Sequence, residues 1–170
     1  MNKHNWNEYE HFSKDGDEWS EDPDRYASGL LLKSVDNYRH LLGFPVHPSP
    51  VAGALARFDD DEDASRTSQH YVGGTRNRRI PIKRRSTALD VFTTANICEA
   101  FMVALSSKLF GGVGVYFDTK YRNKRWCMLH LDLRIADSTA VWFRHEGKYY
   151  YPMKSNICMK LFFKLLYENE

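Results

Sequence analysis

Apolar residues recur at helical spacing in three segments of the chain. These segments cover residues 26–42, Thr94–Leu109 and Lys154–Glu168, and Gly43 is placed to end the first of them. A period of about 3.6 residues brings such side chains to one face of a helix, and that face has to pack against another element. The pattern therefore predicts three amphipathic helices, the first of which ends in a left-handed glycine.

Strand signals concentrate after the second of these helices. Four segments have the apolar alternation or the flanking turn residues of strands: Val113–Phe117, Trp126–Leu133, Thr139–Arg144 and Lys148–Pro152. A polar hairpin turn is expected over Asp118–Lys124, and a second hairpin is expected around Glu146 and Gly147. Earlier in the chain, the prolines of Phe44–Pro50 exclude a helix and predict a short strand followed by a loop.

Charged residues gather in three parts of the chain. Residues 1–25 are acidic and aromatic, which predicts an irregular but ordered lead-in whose aromatic side chains pack on the domain. Five consecutive acids occupy Asp59–Asp63, and six basic residues lie within Arg76–Arg85. Both runs are expected to form solvated loops that pair with each other across the mouth of a site.

The composition narrows the class of protein. A chain of 170 residues with 42% hydrophobic residues is long enough for one domain with its own core. The net charge of +2 gives no overall attraction to nucleic acid, and the basic run lacks interleaved aromatic residues, so nucleic-acid binding is the least favoured function. The three cysteines include no Cys-x-x-Cys pair, which argues against a cysteine-rich zinc site and favours reduced thiols.

Two observations bear on where the chain acts. Met1–Glu10 is polar and lacks the apolar core of a secretory signal. No apolar run reaches the roughly 18 residues that a membrane span needs, and the longest, Met159–Tyr167, is interrupted by two lysines. We therefore expect a chain that is made in the cytoplasm without a signal peptide and has no membrane span.

Candidate chemistry centres on two histidines and one aspartate. His130 and Asp132 share one face of a predicted strand, where polar side chains are costly unless they bind something or face solvent. His70 follows Ser68 in a loop, and Asp90, taken alone, is more typical of a turn or capping carboxylate just before a helix. Two imidazoles and one carboxylate are nevertheless a sufficient ligand set for catalytic zinc, whose fourth position is left to water.

Four short phrases carry a family resemblance. They have the forms Ser-x-His-x-x-Gly, Ala-x-Asp, Gly-x-Gly-x-Tyr and His-x-Asp, and they stand at Ser68–Gly73, Ala88–Asp90, Gly112–Tyr116 and His130–Arg134. In this order they resemble the zinc-site phrases of the D-Ala-D-Ala carboxypeptidase and phage endolysin group, which shares its fold with the signalling domain of hedgehog proteins. His11–Ser13 and Tyr38–Val46 also resemble the start of that group, so the resemblance spans roughly residues 11–134 of the chain.

The resemblance implies a fold and a set of site residues. The fold is α+β, with an antiparallel sheet and flanking helices forming a single zinc-peptidase-like domain over residues 1–170. Ser68 is expected to orient a ligand or to contact substrate, while Arg57 and Arg134 are candidates for binding a substrate carboxylate or the oxyanion. Each of these arginines could equally form a surface ion pair. The zinc ligands implied by the resemblance are His70, Asp90 and His130.

The function implied by the resemblance is hydrolysis of an amide bond in peptidoglycan peptides by a phage-encoded zinc peptidase. Such a protein would be made in the host cytoplasm and would reach the cell wall after release by a holin, or as part of a virion with other virion proteins. The alternative is a non-catalytic virion structural or binding domain that keeps the peptidase fold.

This sequence departs from the family pattern in two ways. In the usual pattern the first histidine and the aspartate are close together in sequence. Here His70 and Asp90 are twenty positions apart, because a basic loop insertion occupies residues 74–86. Cys127 stands where many members place the catalytic acid, three residues before the last histidine. Asp132 is the nearest replacement as general base, with Asp118 a weaker candidate. We therefore predict that Asp132→Asn retains zinc but loses hydrolysis.

Overall fold

The computed structural model describes residues 3–62, 65–119, 121 and 126–169, with the side chain of Cys127 outside the described part. Its α-helices are α1 Pro23–Tyr26, α2 Gly29–Leu42, α3 Ile97–Ser106 and α4 Asn156–Glu168. Its strands are β1 Val46–Pro48, β2 Ala88–Thr93, β3 Gly112–Tyr116, β4 Cys127–Asp132, β5 Ala140–His145 and β6 Lys148–Tyr150. Short 3₁₀ turns occupy Trp6–Glu8 and Pro152–Lys154.

The six strands form one sheet in the order β1-β2-β4-β3-β5-β6. All neighbouring strands are antiparallel except β3 and β5, which run parallel. The predicted α+β class is confirmed, and the sheet is mixed and mostly antiparallel rather than purely antiparallel. The predicted hairpin of β5 and β6 is confirmed too, with positive φ angles at Glu146 and Gly147 in its two-residue turn. The turn predicted over Asp118–Lys124 falls largely on residues outside the described part.

The three predicted helices are confirmed, although each begins later than predicted. Their starts are set by side chains that accept hydrogen bonds from the first free backbone N–H groups. Ser28 accepts from Leu31 at the start of α2, and Asn96 and Ser155 cap α3 and α4 in the same way. Gly43 ends α2 with φ of 70°, as predicted.

Strand β2 corrects the prediction made for Asp90. This residue lies in the middle of a strand, not before a helix, and all six residues of β2 are buried. A strand between two others, covered on both faces, loses the polar alternation that identifies half-exposed strands. The apolar run Val91-Phe92 was therefore compatible with either a helix or a strand.

The sheet separates the core of the domain from its polar site. One face packs against α2, α3 and α4, and Tyr38 on α2 donates a hydrogen bond from its hydroxyl to the carbonyl of Ala100 on α3. The core side chains of that face are Leu89, Val91, Val113, Val115, Leu129 and Leu131. Because side chains alternate along a strand, the residues between these point to the opposite face. That face carries Asp90, His130 and Asp132.

The charged runs are folded onto the domain. Nε of Arg76 lies 2.7 Å from Oδ1 of Asp61, and Nζ of Lys83 lies 3.9 Å from Oδ2 of Asp59, which confirms that the acidic and basic runs pair. The acidic lead-in is ordered as predicted, since its aromatic residues pack against the core. Within the described residues, no helix is long and apolar enough to cross a membrane.

Candidate metal centre

His70, Asp90 and His130 converge beneath the surface of the domain. Nε2 of His70 lies 2.9 Å from Nδ1 of His130, and Oδ1 of Asp90 lies 2.8 Å from that same nitrogen and 3.4 Å from His70 Nε2. All three residues are buried, with 2% to 6% of their surface exposed. The three residues that the family resemblance implied as ligands are thus brought together by the fold, across separations of twenty and forty positions.

The backbone around these residues explains how they meet. Asp90 and His130 are direct partners in the register between β2 and β4, so their side chains leave the same face side by side. His70 lies in a loop, and its own backbone carbonyl accepts a hydrogen bond from the backbone N–H of Arg57. The hydroxyl of Ser68 accepts from the backbone N–H of His70, which fixes the turn before this residue. Ser68 therefore orients a member of the cluster through the backbone.

The donor set can hold a cation at its centre. Nε2 of His130 lies 3.0 Å from Oδ2 of Asp132, so the proton of a neutral ring stays there and leaves Nδ1 with a lone pair. That lone pair, the carboxylate of Asp90 and Nε2 of His70 face one another, and either a proton or a metal ion between them relieves the repulsion. Zinc bonded at about 2.0–2.1 Å sets tetrahedral ligand atoms roughly 3.3 Å apart. The observed separations of 2.8 Å, 2.9 Å and 3.4 Å lie within about 0.5 Å of this value, and the donor types suit zinc.

The charges at the site attract a cation, whether a proton or a metal ion. Burial raises the pKa of Asp90, but the neighbouring His70 and His130 outweigh it and hold that pKa well below its usual range. Burial lowers the pKa of His130, but the carboxylates of Asp132 and Asp90 outweigh it and raise that pKa. The site thus stabilises positive charge at its centre, which is the property that a site for a divalent cation needs.

Asp132 and Arg134 stand on the far side of His130. Asp132 is fully buried and accepts hydrogen bonds from the guanidinium of Arg134 at 2.6 Å to 3.0 Å, in addition to its contact with Nε2 of His130. Burial raises the pKa of Asp132, and its bonds to His130 and Arg134 more than reverse this and lower it. A carboxylate that accepts a hydrogen bond from the second nitrogen of a metal-binding histidine fixes both the tautomer and the orientation of the ring.

The Gly-x-Gly phrase of β3 makes room for a tryptophan that the sequence analysis did not single out. Trp142 on β5 lies across β3 and packs on the ring of His130, with 4.9 Å between centroids. A Cβ atom on Gly114 would stand 2.5 Å from Nε1 of Trp142, and one on Gly112 would stand 2.5 Å from Oδ2 of Asp132. Both glycines are therefore required by the close approach of side chains to the strand.

A cleft of about 400 Å³ opens beside Asp90. Arg57 and Arg144 give it positive charge, and Tyr116 and Tyr149 contribute their rings. Burial, and next the carboxylate of Asp90, raise the pKa of Tyr116, so its hydroxyl stays protonated and can donate a hydrogen bond at neutral pH. Sequence analysis named Arg57 but did not predict a role in the site for Arg144, Tyr116 or Tyr149. Tyr116 does end the Gly-x-Gly-x-Tyr phrase.

The remaining candidates are distributed around the site. Arg57 lines the cleft, whereas Arg134 is held by Asp132 and stacks on Trp142, with 4.9 Å from its guanidinium carbon to the ring centroid. Asp118 accepts from the backbone of Gly147 and lies 3.6 Å from Arg144, so it is tied to the rim of the cleft. The prediction that concerns the side chain of Cys127 lies outside the described residues.

Glu21 organises the loop that connects the cleft to the cluster. Its buried carboxylate accepts hydrogen bonds from the backbone N–H groups of Gly53, Leu55 and Ala56, at 2.8 Å to 3.2 Å. In the same loop, the carbonyl of Ala54 accepts a hydrogen bond from the backbone N–H of Asp90. The acidic lead-in therefore contributes one residue that fixes the geometry of the site.

Replacement of Glu21 by alanine is expected to lower the free energy of unfolding by about 3 kcal/mol or more, because buried N–H groups lose a charged acceptor and each costs about 1–3 kcal/mol when unpaired. Urea unfolding followed by circular dichroism measures the change. Glu168→Ala is the control, since this residue at the end of α4 is exposed and forms a 3.6 Å surface ion pair with Lys164, a kind of contact that contributes little to stability. Equal effects of the two variants would contradict the role given to Glu21.

We compared the chain with protein-family models, with curated proteins and with solved structures, and none of the three comparisons gave a significant match.

Proposed function

We propose that this protein is a zinc-dependent peptidase that hydrolyses an amide bond in peptidoglycan peptides, as the family resemblance of its phrases implies. The observation that carries the proposal is the convergence of His70 Nε2, Asp90 Oδ1 and His130 Nδ1 within 3.4 Å of one another in a buried site. A cleft with two arginines opens beside it. A ligand cluster next to a cationic cleft suits hydrolysis of a peptide that carries a carboxylate.

Each part of the site has a role under this proposal. The three converging residues would hold the ion, which when bound supplies a Lewis acid and a more acidic water. Arg57 would bind a carboxylate or the carbonyl oxygen of the substrate, and Tyr116 would donate a hydrogen bond from its protonated hydroxyl. Trp142 would hold the ring of His130 in place and exclude water from that side.

The sequence made Asp132 the first candidate for the general base. Its contacts in the structure support a different role. Its oxygens are taken up by Nε2 of His130 and by the guanidinium of Arg134, on the side of the ring away from Nδ1. A base must reach the proton that it removes, within about 3.2 Å or through one water. We therefore propose that Asp132 and Arg134 orient His130.

The test of the proposed function uses the zinc-loaded chain on purified peptidoglycan. Hydrolysis of an amide bond releases one new amino group and one new carboxyl group, so labelling of amines followed by mass spectrometry identifies the bond. Release of fragments that requires zinc supports the proposal. If zinc binds but no bond of the peptide stems is cleaved, the peptidase function is wrong.

One observation favours the alternative of a non-catalytic virion structural or binding domain. Both carboxylates considered as the base, Asp132 and Asp118, are occupied by other contacts. Such a domain would bind peptidoglycan fragments or virion proteins without cleaving them. Sedimentation of the chain with insoluble peptidoglycan, unaccompanied by release of fragments, is the result that this alternative predicts.

Arg57 provides a prediction on substrate binding. Arg57→Met is expected to lower kcat/KM by about 10- to 100-fold, because hydrogen bonds to charged groups are worth about 1.5–3 kcal/mol. We expect the loss to appear mainly in KM, since a carboxylate contact is made equally in the ground and transition states. Arg79→Met, at an exposed position of the basic loop, is the matched control. A loss confined to kcat would instead place Arg57 at the developing oxyanion.

A further inference from the structure

A second group of candidate metal-ligating side chains lies between the lead-in and α2. It consists of Glu10, His11 and His40, each of which offers one ligand atom within 4.8 Å of the others. Oε2 of Glu10 lies 3.9 Å from Nε2 of His11 and 3.6 Å from Nδ1 of His40. These separations are too long for hydrogen bonds, and they leave space between the three atoms.

The backbone that presents this group is firmly held. The carboxylate of Asp36, buried on α2, accepts hydrogen bonds from the backbone N–H groups of both Glu10 and His11, at 3.0 Å and 2.8 Å. Arg39 donates from its guanidinium to the carbonyls of His11 and Val46. The lead-in is therefore fixed to the helix at the point where two of the three candidate ligands leave it, which reduces the entropy cost of gathering them.

The orientation of His11 gives an independent indication of a ligand. Its Nε2 atom is buried and has no hydrogen-bond partner among the described residues. Leaving a buried polar atom unpaired costs about 1–3 kcal/mol, so such atoms usually have an ion, a water or a protein partner. This nitrogen faces Glu10, and the ring stacks at 5.9 Å on that of His40.

We propose that Glu10, His11 and His40 form a surface site for a divalent transition metal such as zinc, separate from the buried cluster. Two imidazoles and one carboxylate suit zinc, copper or nickel, and a ligand set without further carboxylates does not suit calcium or magnesium. His11 is anchored, while the side chains of Glu10 and His40 are 67% exposed and can move inward to bonding distance. The open side of the site faces solvent, so the remaining positions would be taken by water.

The test counts the zinc ions bound by the chain without a polyhistidine tag. Isothermal titration of the chelator-stripped chain measures the number of ions bound, and His40→Ala is the variant, because this exposed side chain can be removed without disturbing the fold. We expect His40→Ala to bind one ion fewer than the wild type. His47→Ala is the matched control, since His47 is half-exposed and lies outside the group, and it should bind as many ions as the wild type.

The two metal sites are distinguished by combining variants. In a His70→Ala background, which removes a ligand of the buried cluster, one ion should still bind and should be lost when His40→Ala is added. If His70→Ala does not fold, the number of zinc ions bound by His40→Ala and by the wild type is sufficient to test the proposal. Equal numbers of ions in these two chains, or a loss in His47→Ala as large as in His40→Ala, would overturn the proposal, whatever the buried cluster does.

Discussion

Chains that carry His70→Ala or Asp90→Ala are expected to bind no zinc at the buried cluster and to release no fragments from peptidoglycan. Each substitution removes one of the three protein ligands that we propose for the buried cluster, and a catalytic zinc site keeps its fourth position for water. The partners left behind are buried, so water replaces the lost ligand poorly. Under the proposed function, hydrolysis should fall to the background rate, which makes this the largest effect that we predict on activity.

Metal content and activity have to be measured on the same preparations. Both variants are best made in the His40→Ala background, so that an ion at the lead-in does not enter the count. His145→Ala is the control, since His145 is a half-exposed histidine at the end of β5. Circular dichroism checks that each chain is folded. A folded Asp90→Ala chain that keeps its zinc would show that Asp90 is not a ligand, and one that keeps its activity would remove the basis of the proposed function.

The elements that sequence analysis predicted well are those whose side chains face solvent on one side. The helix α2 has an apolar stripe, a polar stripe and a terminal glycine, so its period and its end are readable. Strand β2 has none of these signals, because every residue in it is buried and its pairing partners lie far away in the chain. The register that places Asp90 opposite His130 is a tertiary property, and no local pattern carries it.

The convergence of His70, Asp90 and His130 was anticipated from the sequence, whereas most of their surroundings were not. The phrases that contain these candidate ligands resemble a known family, and this resemblance, not periodicity, grouped them. Trp142 and Glu21 act through contacts over long distances in sequence, with the ring of His130 and with the loop 53–56. Such contacts are visible in the sequence only indirectly. Gly114 is an example, because its lack of a side chain makes room for Trp142.

Asp132→Asn separates the two roles that this residue can have. The asparagine has the same shape and fits the space beside Gly112, so packing is retained. It loses the charge that attracts both His130 and the guanidinium of Arg134, and loss of such an orienting carboxylate typically costs about 10- to 100-fold in metal affinity. We expect the zinc affinity of the buried cluster to fall by about this amount, measured by competition with a chelator of known affinity.

The activity of the same variant in excess zinc then decides between the roles. If Asp132 orients His130, saturation with zinc restores most of the hydrolysis, because under this role the substitution weakens only the binding of the ion. If Asp132 is the general base, affinity changes little and activity stays low at every zinc concentration. Arg134→Met is the matched second variant, since this arginine holds the other side of the Asp132 carboxylate. Under the orienting role it should weaken zinc binding in the same direction as Asp132→Asn, and an unchanged affinity in both variants would show that neither residue supports the ligand.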